Sequence, residues 1–443
     1  MKHGILICPA TIVVVMLAAV CELTFAQGSG RTATPELYEL TLELGVQHSD
    51  NRPRTDPPGP SETALVPRAI LDLSRSGHRM SLRAAGHVEQ RIPLDGPFGN
   101  EFLANMAARL NWHLIPESLD WVVENVTSGA PRDLTEQDTP ENRQHTNVFS
   151  TGPQWTIRPA APWSGLLDMR YIHSYAEDSD AFDSDRLALT ARALRRLGGG
   201  RLLSAGVEAT GVRYHEDEFA AEDYDRLDLV GRYRTTRAEL DMDIAAGRTR
   251  IDVDRGERFE SNLVRLRLIW NIDDRHRLVT RAGHELSDSV RQLATGIEQL
   301  DLPLAVNRWL PVGNVIYVFD HVSLGWLYRH DFLDTSLTVA SRDYQFELDP
   351  LLDFEDHVIN LGLTWRLGRT MALESELRLQ QRRFQRDSRR DNDGRLSLFL
   401  TRQFNPRWSG RVGAVHFQRD SNIVGQDSRE NIIAVYLAYH AGR

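Results

Sequence analysis

The residues of this sequence that could do chemistry do not form a recognisable catalytic set. No HExxH, GxSxG or GxGxxG motif lies in the strand–helix setting that its chemistry needs. The histidines are scattered singly, and no spacing argument groups a serine, a histidine and an aspartate as a hydrolase requires. We therefore predict no catalytic residue, no cofactor and no metal ligand, and we expect a protein that is not an enzyme.

Three charged stretches could bind ions. EDSDAFDSD (Glu177–Asp185) and HEDEFAAEDYD (His215–Asp225) offer the carboxylate oxygens that Ca²⁺ prefers, although neither has the glycine and final glutamate of an EF-hand loop. QRRFQRDSRRDN (Gln381–Asn392) could hold an anionic polysaccharide or lipopolysaccharide phosphate through guanidinium groups. For each stretch the alternative is a hydrated loop without a ligand. The predicted polyanion-binding residues are Arg382, Arg383, Arg386, Arg389 and Arg390.

Composition excludes several kinds of site. The only cysteines are Cys8 and Cys21, and the only lysine is Lys2. Beyond the first 26 residues the chain therefore lacks disulfides, cysteine-bound zinc and haem, cysteine nucleophiles, a P-loop lysine and a Schiff-base lysine. The formal net charge of −10 argues against nucleic acid as a partner.

The N-terminus has the pattern of a secretory signal peptide. A short basic start precedes an apolar run at Ile12–Val20, and Thr24-Phe25-Ala26 is a suitable cleavage site. We expect residues 1–26 to be removed, with an uncleaved anchor as the alternative. No later stretch approaches 18 consecutive apolar residues, so membrane-spanning helices are not expected.

The elements that must position the charged residues are β-strands. In ELYELTLELGVQHSDN (Glu36–Asn51) apolar and polar residues alternate, which is the period of a strand. Similar runs of about ten residues recur along the chain, for example at Phe102–Leu114, Arg237–Arg248 and His357–Leu367. About ten residues is the length with which a tilted strand crosses a bilayer. Tryptophans near the strand ends fit an interfacial girdle, with the core of a soluble sandwich as the alternative.

Short and long connections alternate between these strands. Nine tight turns, such as Gly198–Gly200 and Asn405–Arg407, separate ten longer polar segments, such as 48–63 and 287–312. This is typical of outer-membrane barrels. We predict an all-β fold in which residues 27–443 form one antiparallel up-and-down transmembrane barrel of about 20 strands, with 18 or 16 as alternatives. Segment 287–312 could hold a short helix that folds into the mouth, although an exposed loop is the more ordinary interpretation.

A barrel assigns the charged residues of the strands to its lumen. An arginine facing lipid at the bilayer midplane costs about 2–4 kcal/mol, so these residues should face inward or lie at the rims. The lumen could then be a water-filled channel, or it could be plugged by its own ion pairs. The predicted lumen-lining residues are Glu39, Glu43, Arg83, Arg109, Arg170, Arg192, Arg232, Arg265, Arg267, Arg281, Arg366 and Arg378.

Several segments resemble the outer-membrane β-barrel family associated with PEP-CTERM and exopolysaccharide gene clusters of Gram-negative bacteria. They are HSDN (His48–Asn51), LDLSRSGHRMSLR (Leu71–Arg83), NVFSTGPQW (Asn147–Trp155) and YDRLDLVGRYR (Tyr224–Arg234). The resemblance implies a porin-like channel in exopolysaccharide export or surface assembly and supplies no catalytic residue. The expected partners are outer-membrane lipid, lipopolysaccharide, the barrel-assembly machinery, and exopolysaccharide or its export proteins.

Two other functions stay open at this point. A structural barrel with a plugged lumen could bind polysaccharide or partners through its outer loops. An outer-membrane hydrolase is the third alternative. The solute, the lumen diameter and the choice between monomer and trimer are not determined by any pattern in the sequence.

Overall fold

A computed structural model describes residues 37–134, 136–137, 139–160, 162–294 and 311–442. The predicted signal peptide lies outside these residues. The described chain is built of 20 strands. They are β1 (Leu37–Ser49), β2 (Glu62–Ser76), β3 (Met80–Pro93), β4 (Glu101–Ile115), β5 (Leu119–Pro131), β6 (Arg143–Ala160), β7 (Trp163–Ala176), β8 (Ser184–Gly198), β9 (Arg201–Tyr214), β10 (Tyr224–Thr236), β11 (Leu240–Val253), β12 (Arg258–Asn271), β13 (His276–Asp288), β14 (Ile316–Arg329), β15 (Leu333–Phe346), β16 (Phe354–Arg366), β17 (Met371–Phe384), β18 (Arg390–Asn405), β19 (Trp408–Ser421) and β20 (Ser428–Gly442).

The strands close into a single antiparallel barrel. Each strand pairs with its neighbours in the sequence, and β1 pairs with both β2 and β20, for example Leu44 with Pro67 and with Leu437. The prediction of an all-β barrel with 20 strands is confirmed, and the alternatives of 18 and 16 strands are excluded. The nine predicted tight turns all connect strands at one end of the barrel, which we take as the periplasmic end because barrel turns are short there.

Strand β1 shows why the alternating pattern forms a barrel wall. Leu42, Leu44 and Val46 are about half exposed on the outer surface, whereas Glu43 and Gln47, at the alternate positions of the strand, are buried in the lumen. A single layer of sheet therefore separates apolar from polar side chains, and no second sheet covers the leucines. This arrangement suits lipid outside and polar groups inside.

The tryptophans gather at one boundary of the apolar band. Trp112, Trp121, Trp155, Trp163 and Trp408 lie beside short turns with their rings exposed. Interfacial aromatic residues mark the height at which the wall meets the headgroups. The outer boundary of the wall instead carries polar side chains. There the outward-facing positions include His48, His173, His284, His357 and His416.

In the part of the chain that the structure describes, helical segments are few and short. One α-helix, α1 (Ser289–Ala294), follows β13. Short 3₁₀ helices occur in the outer loops at Pro140–Asn142, Asp180–Phe182, Asp217–Glu222, Pro350–Leu352 and Arg386–Ser388. Among the described residues no helix has the length and apolar character to cross a membrane.

Candidate functional site: the barrel lumen and its outer rim

The lumen face holds the charged side chains singled out in the sequence. The strand registers and the alternation of exposure place all twelve predicted lumen-lining residues on the inner surface of the barrel. They do not form one continuous path. Arg366 and Glu39 lie near the periplasmic end, whereas Glu43 lies at mid-height between Arg68 (3.3 Å) and Arg411 (3.5 Å).

Part of the outer end of the lumen holds a largely buried arginine–carboxylate cluster of Arg186, Glu208, Arg226, Asp228, Asp288 and Arg291. Nη1 of Arg186 donates to Oδ1 of Asp288 at 2.6 Å, and only 5% and 4% of these side chains are exposed. Nε of Arg226 donates to Asp228 at 2.9 Å. Because each charge faces an opposite charge, the cluster neutralises itself.

Helix α1 contributes one of these arginines from inside the barrel. Nη1 of Arg291 donates to Oε1 of Glu208 at 2.9 Å, and its Nη2 lies 3.4 Å from Asp228. Val290 and Leu293 pack against Val148 and other apolar side chains of the inner wall. The start of segment 287–312 therefore forms a short helix that folds into the mouth of the barrel, and it is not an exposed loop. Residues 295–310 of that segment lie outside the described residues.

A second buried cluster corrects the prediction of a five-arginine binding loop. Arg382 donates to Asp393 at 2.7 Å inside the lumen, and Arg389 lies 2.8 Å from the buried Asp391. Arg383 points to the outer surface beside Glu355, and Arg390 is exposed. The strand alternation thus sends neighbouring arginines to opposite faces of the wall. Arg382, Arg383, Arg386, Arg389 and Arg390 do not form one polyanion-binding surface.

Aromatic side chains complete the packing of the outer end. Tyr317, Phe319, Tyr344, Phe354 and Phe384 are buried in one cluster, and the rings of Tyr344 and Phe354 stack with centroids 4.5 Å apart. These rings stand on the lumen face of four strands. The outer third of this part of the barrel is therefore packed like a protein core.

The lumen is less densely filled toward the periplasm. Arg192 and Arg232 keep 37% and 41% of their side chains exposed, in contrast to Arg186 on the same wall. A polar cavity of about 1370 Å³ extends from Arg419 and Glu430 near the outer end to Glu374 near the periplasmic end. Its lining carries both signs of charge. The lumen thus combines a packed layer of ion pairs and aromatic rings with a polar cavity that passes beside this layer.

Outside the lumen, the two acidic stretches Glu177–Asp185 and His215–Asp225 contribute to a different set of possible metal ligands. Asp185 lies between His173 (Nδ1 to Oδ1, 2.9 Å) and His215 (Nε2 to Oδ2, 3.3 Å) on the outer rim. One ligand atom from each of the three lies within 4.8 Å of the others. Two imidazoles and one carboxylate suit Zn²⁺ with an open fourth position better than Ca²⁺, which prefers oxygen ligands. The sequence prediction of no metal ligands missed this group because its members come from three strand ends.

We expect the refolded barrel to bind Zn²⁺ through His173, Asp185 and His215. Replacing His215 with alanine removes one of three ligands, and since loss of a second-shell partner alone costs about 10–100-fold in affinity, we expect a loss at least that large. Titration calorimetry measures the affinity. His416→Ala, at another histidine of the outer rim, is the matched control and should leave Zn²⁺ binding unchanged. Equal affinity in wild type and His215→Ala would contradict a metal site here.

A neighbouring carboxyl makes this rim sensitive to pH. Burial raises the pKa of Asp183, in the loop before β8, to about 6, although a hydrogen bond donated by the backbone N–H of Ala176 opposes the shift. The carboxyl is therefore ionised at neutral pH and takes up a proton as the pH falls through about 6. Below that pH the loop carries one negative charge fewer beside His215.

Comparison with known proteins finds solved structures of low sequence identity. No family model matches the chain, and no curated protein matches it. The siderophore receptor PirA from Pseudomonas aeruginosa is 12% identical with a TM-score of 0.46, covering 93% of this chain and 81% of that one. The ferric enterobactin receptor PfeA from the same organism is 10% identical (TM-score 0.48, 93% and 82%). The FrpB iron transporter from Neisseria meningitidis is 8% identical (TM-score 0.41, 92% and 83%).

Proposed function

We propose that the protein is an outer-membrane barrel whose lumen is closed at its outer end at rest, so that it acts as a gated conduit for polar solutes and not as an open porin. The observation that carries this proposal is the insertion of α1, whose Arg291 is held by Glu208 and Asp228. The polar cavity beside the packed layer supplies room for a hydrated solute. The packed outer layer fits the plugged barrel that sequence patterns left as an alternative.

Single-channel recording in planar bilayers tests the gate. Wild-type protein should show rare or very small conductance steps, and Arg291→Ala should show frequent, larger steps because α1 loses its ionic contacts. Arg255→Ala is the control, since this arginine pairs with Glu257 in an outer turn outside the lumen. A stable, large, ohmic conductance in wild type, unchanged in Arg291→Ala, would mean that the lumen is an open pore.

The exopolysaccharide role implied by the family resemblance stays a prediction. Its support is the mixed-charge cavity, which includes arginines that an anionic sugar polymer could contact. Deleting the gene and measuring cell-surface polysaccharide tests it, with complementation by wild type and by Arg291→Ala. An unchanged amount and distribution of polysaccharide would remove this role and leave the gated barrel to be tested by conductance.

A further inference from the structure

The wall of the barrel has a seam between β12 and β13. Their ladder holds only eight residue pairs and ends at Val264 opposite His284, although both strands continue outward. Beyond this point the side chains of Leu286 and Ile316, on the outward positions of β13 and β14, are buried with Ile251, on the inward position of β11. The outer ends of β13 and β14 therefore pass beneath the edge formed by β11 and β12.

A serine, a histidine and an aspartate meet in this seam. Oγ of Ser261 in β12 lies 3.0 Å from Nε2 of His284 in β13. Nδ1 of the same ring lies 2.7 Å from Oδ1 of Asp320 in β14. The three side chains come from three consecutive strands, and the register places His284 directly opposite Asp320. They are far apart in the sequence, so no spacing could have indicated them.

The contacts define the proton positions that nucleophilic catalysis needs. An ionised carboxylate only accepts hydrogen bonds, so Nδ1 of His284 must carry the proton that is shared with Asp320. In the neutral ring Nε2 is then the acceptor, and it faces the Ser261 hydroxyl. The hydroxyl also lies 3.2 Å from the carbonyl oxygen of Asn262, an alternative acceptor. A serine activated by a histidine that a carboxylate orients is the arrangement of serine hydrolases.

Two members of the set reach the outer surface, and Ser261, on the inward position of β12, is partly buried against His284. His284 and Asp320 keep 39% and 44% of their side chains exposed. Two residues below Asp320 on the same face, about 7 Å along the strand, Val322 begins an open groove of about 930 Å³. Apolar side chains such as Leu324, Ile359 and Leu379 line the groove.

The groove has the polarity of a lipid site. Its apolar residues lie within the outward-facing band, and His357, Gln381 and other polar side chains stand toward its outer end. A bilayer lipid has the same order, with acyl chains at membrane depth and ester and headgroup at the interface. The triad stands at the height where the ester would lie.

We propose that Ser261, His284 and Asp320 form a catalytic triad that hydrolyses an ester-linked acyl chain of a lipid in the outer leaflet. This activity belongs to the outside of the wall and does not depend on an open or a closed lumen. It corresponds to the outer-membrane hydrolase that the sequence analysis left as a third function, with residues that no sequence pattern had grouped.

The chemistry needs only water as a second substrate. Oγ of Ser261 attacks the ester carbonyl carbon while Nε2 of His284 takes the hydroxyl proton. The bond between the carbonyl carbon and the alkoxy oxygen of the ester then breaks, and His284 passes the same proton to the departing alkoxide. Water then attacks the acyl-serine, gives a proton to Nε2, and releases the fatty acid as the proton returns to Ser261. Asp320 keeps the imidazole oriented and stabilises its charged form.

A second histidine on the same surface shows what a purely structural contact looks like. Nδ1 of His357 lies 3.0 Å from Oγ of Ser341, and its Nε2 is 3.8 Å from Glu355. Here the carboxylate is beyond hydrogen-bond distance and faces the other ring nitrogen. The pair has a similar exposure but lacks the relay of the triad. Because both residues also line the groove, the matched control is a histidine–hydroxyl pair outside it, His48 and Thr63, where Nδ1 of His48 lies 3.1 Å from Oγ1 of Thr63.

Covalent labelling tests the nucleophile directly. Refolded full-length protein in lipid vesicles is incubated with a long-chain alkyl fluorophosphonate, and the modified peptide is identified by mass spectrometry. Wild type should be labelled at Ser261, and Ser261→Ala should not be labelled. His284→Ala and Asp320→Asn should slow labelling by about 10²–10⁴-fold, as loss of general-base catalysis does. Thr63→Ala and His48→Ala should be labelled like wild type.

Lipid hydrolysis identifies the substrate. Release of free fatty acid is measured from vesicles of phosphatidylethanolamine and, separately, from vesicles containing lipopolysaccharide. Release in either series that is lost in Ser261→Ala supports the site and names the lipid. Heat-modifiable migration on gels and the β-sheet circular dichroism spectrum confirm that every compared variant is folded. No labelling of folded wild type, or labelling that persists in Ser261→Ala, would overturn the proposal.

Discussion

Replacing Arg186 with methionine is expected to lower the free energy of unfolding by about 3–5 kcal/mol, the cost of leaving a buried charge without its partner. Its guanidinium donates to Asp288 at 2.6 Å in a layer where both side chains are almost completely buried. Methionine fills much of the volume but leaves the Asp288 carboxylate unpaired. Urea unfolding of the protein in lipid vesicles, followed by tryptophan fluorescence, gives the free energy.

The double variant Arg186→Met/Asp288→Asn separates the lost charge pair from lost packing. It removes both charges, and the asparagine amide oxygen can still accept the hydrogen bond donated by the backbone N–H of Arg291 (3.1 Å). We expect it to be more stable than Arg186→Met alone, since a buried pair and its neutral replacement are often close in free energy. Arg250→Met, at an exposed ion pair with Asp252, should leave stability nearly unchanged. A double variant no more stable than the single one would contradict the paired-charge account.

Replacing Leu44 with arginine is expected to destabilise the barrel by about 2–4 kcal/mol, the cost of an arginine on the lipid face near the bilayer midplane. Leu44 lies in the middle of β1 and is 53% exposed on the outer surface. In a water-facing wall an arginine at such an exposed position would cost little. Unfolding in lipid vesicles therefore reports directly whether this face meets hydrocarbon.

Val424→Arg is the control for this substitution. Val424 lies in the outer turn between β19 and β20 and is fully exposed, so the added charge remains in water. Its free energy of unfolding should match that of wild type. Equal stabilities of Leu44→Arg and Val424→Arg would mean that β1 does not face lipid at this height.

Local sequence determined most of the architecture because the barrel wall is a single layer of β-sheet. Each strand residue faces either lipid or lumen, so the period of two in ELYELTLELGVQHSDN already assigned Leu42 and Leu44 to one side and Glu43 to the other. Short turns and long loops alternate in the sequence for the same reason, since one end of each hairpin is tight. The number of strands followed from counting these connections.

Tertiary structure alone decided which charges meet and where the chain crosses the lumen. Arg291 reaches Glu208 and Asp228 only because α1 turns inward, which no periodicity over six residues can indicate. The arginines of Gln381–Asn392 are adjacent in sequence, yet the strand sends Arg382 to the lumen and Arg383 to the outer surface.

The two sites outside the lumen also depend on tertiary structure and not on local sequence. Ser261, His284 and Asp320 lie on three strands, and their contact depends on where the β12–β13 ladder ends. His173, Asp185 and His215 likewise meet only at the rim of the closed wall. Alternation of side chains is a local property of the backbone and can be read from sequence. Register and closure are set by pairing between distant segments, so the chemistry that depends on them appears only in the folded protein.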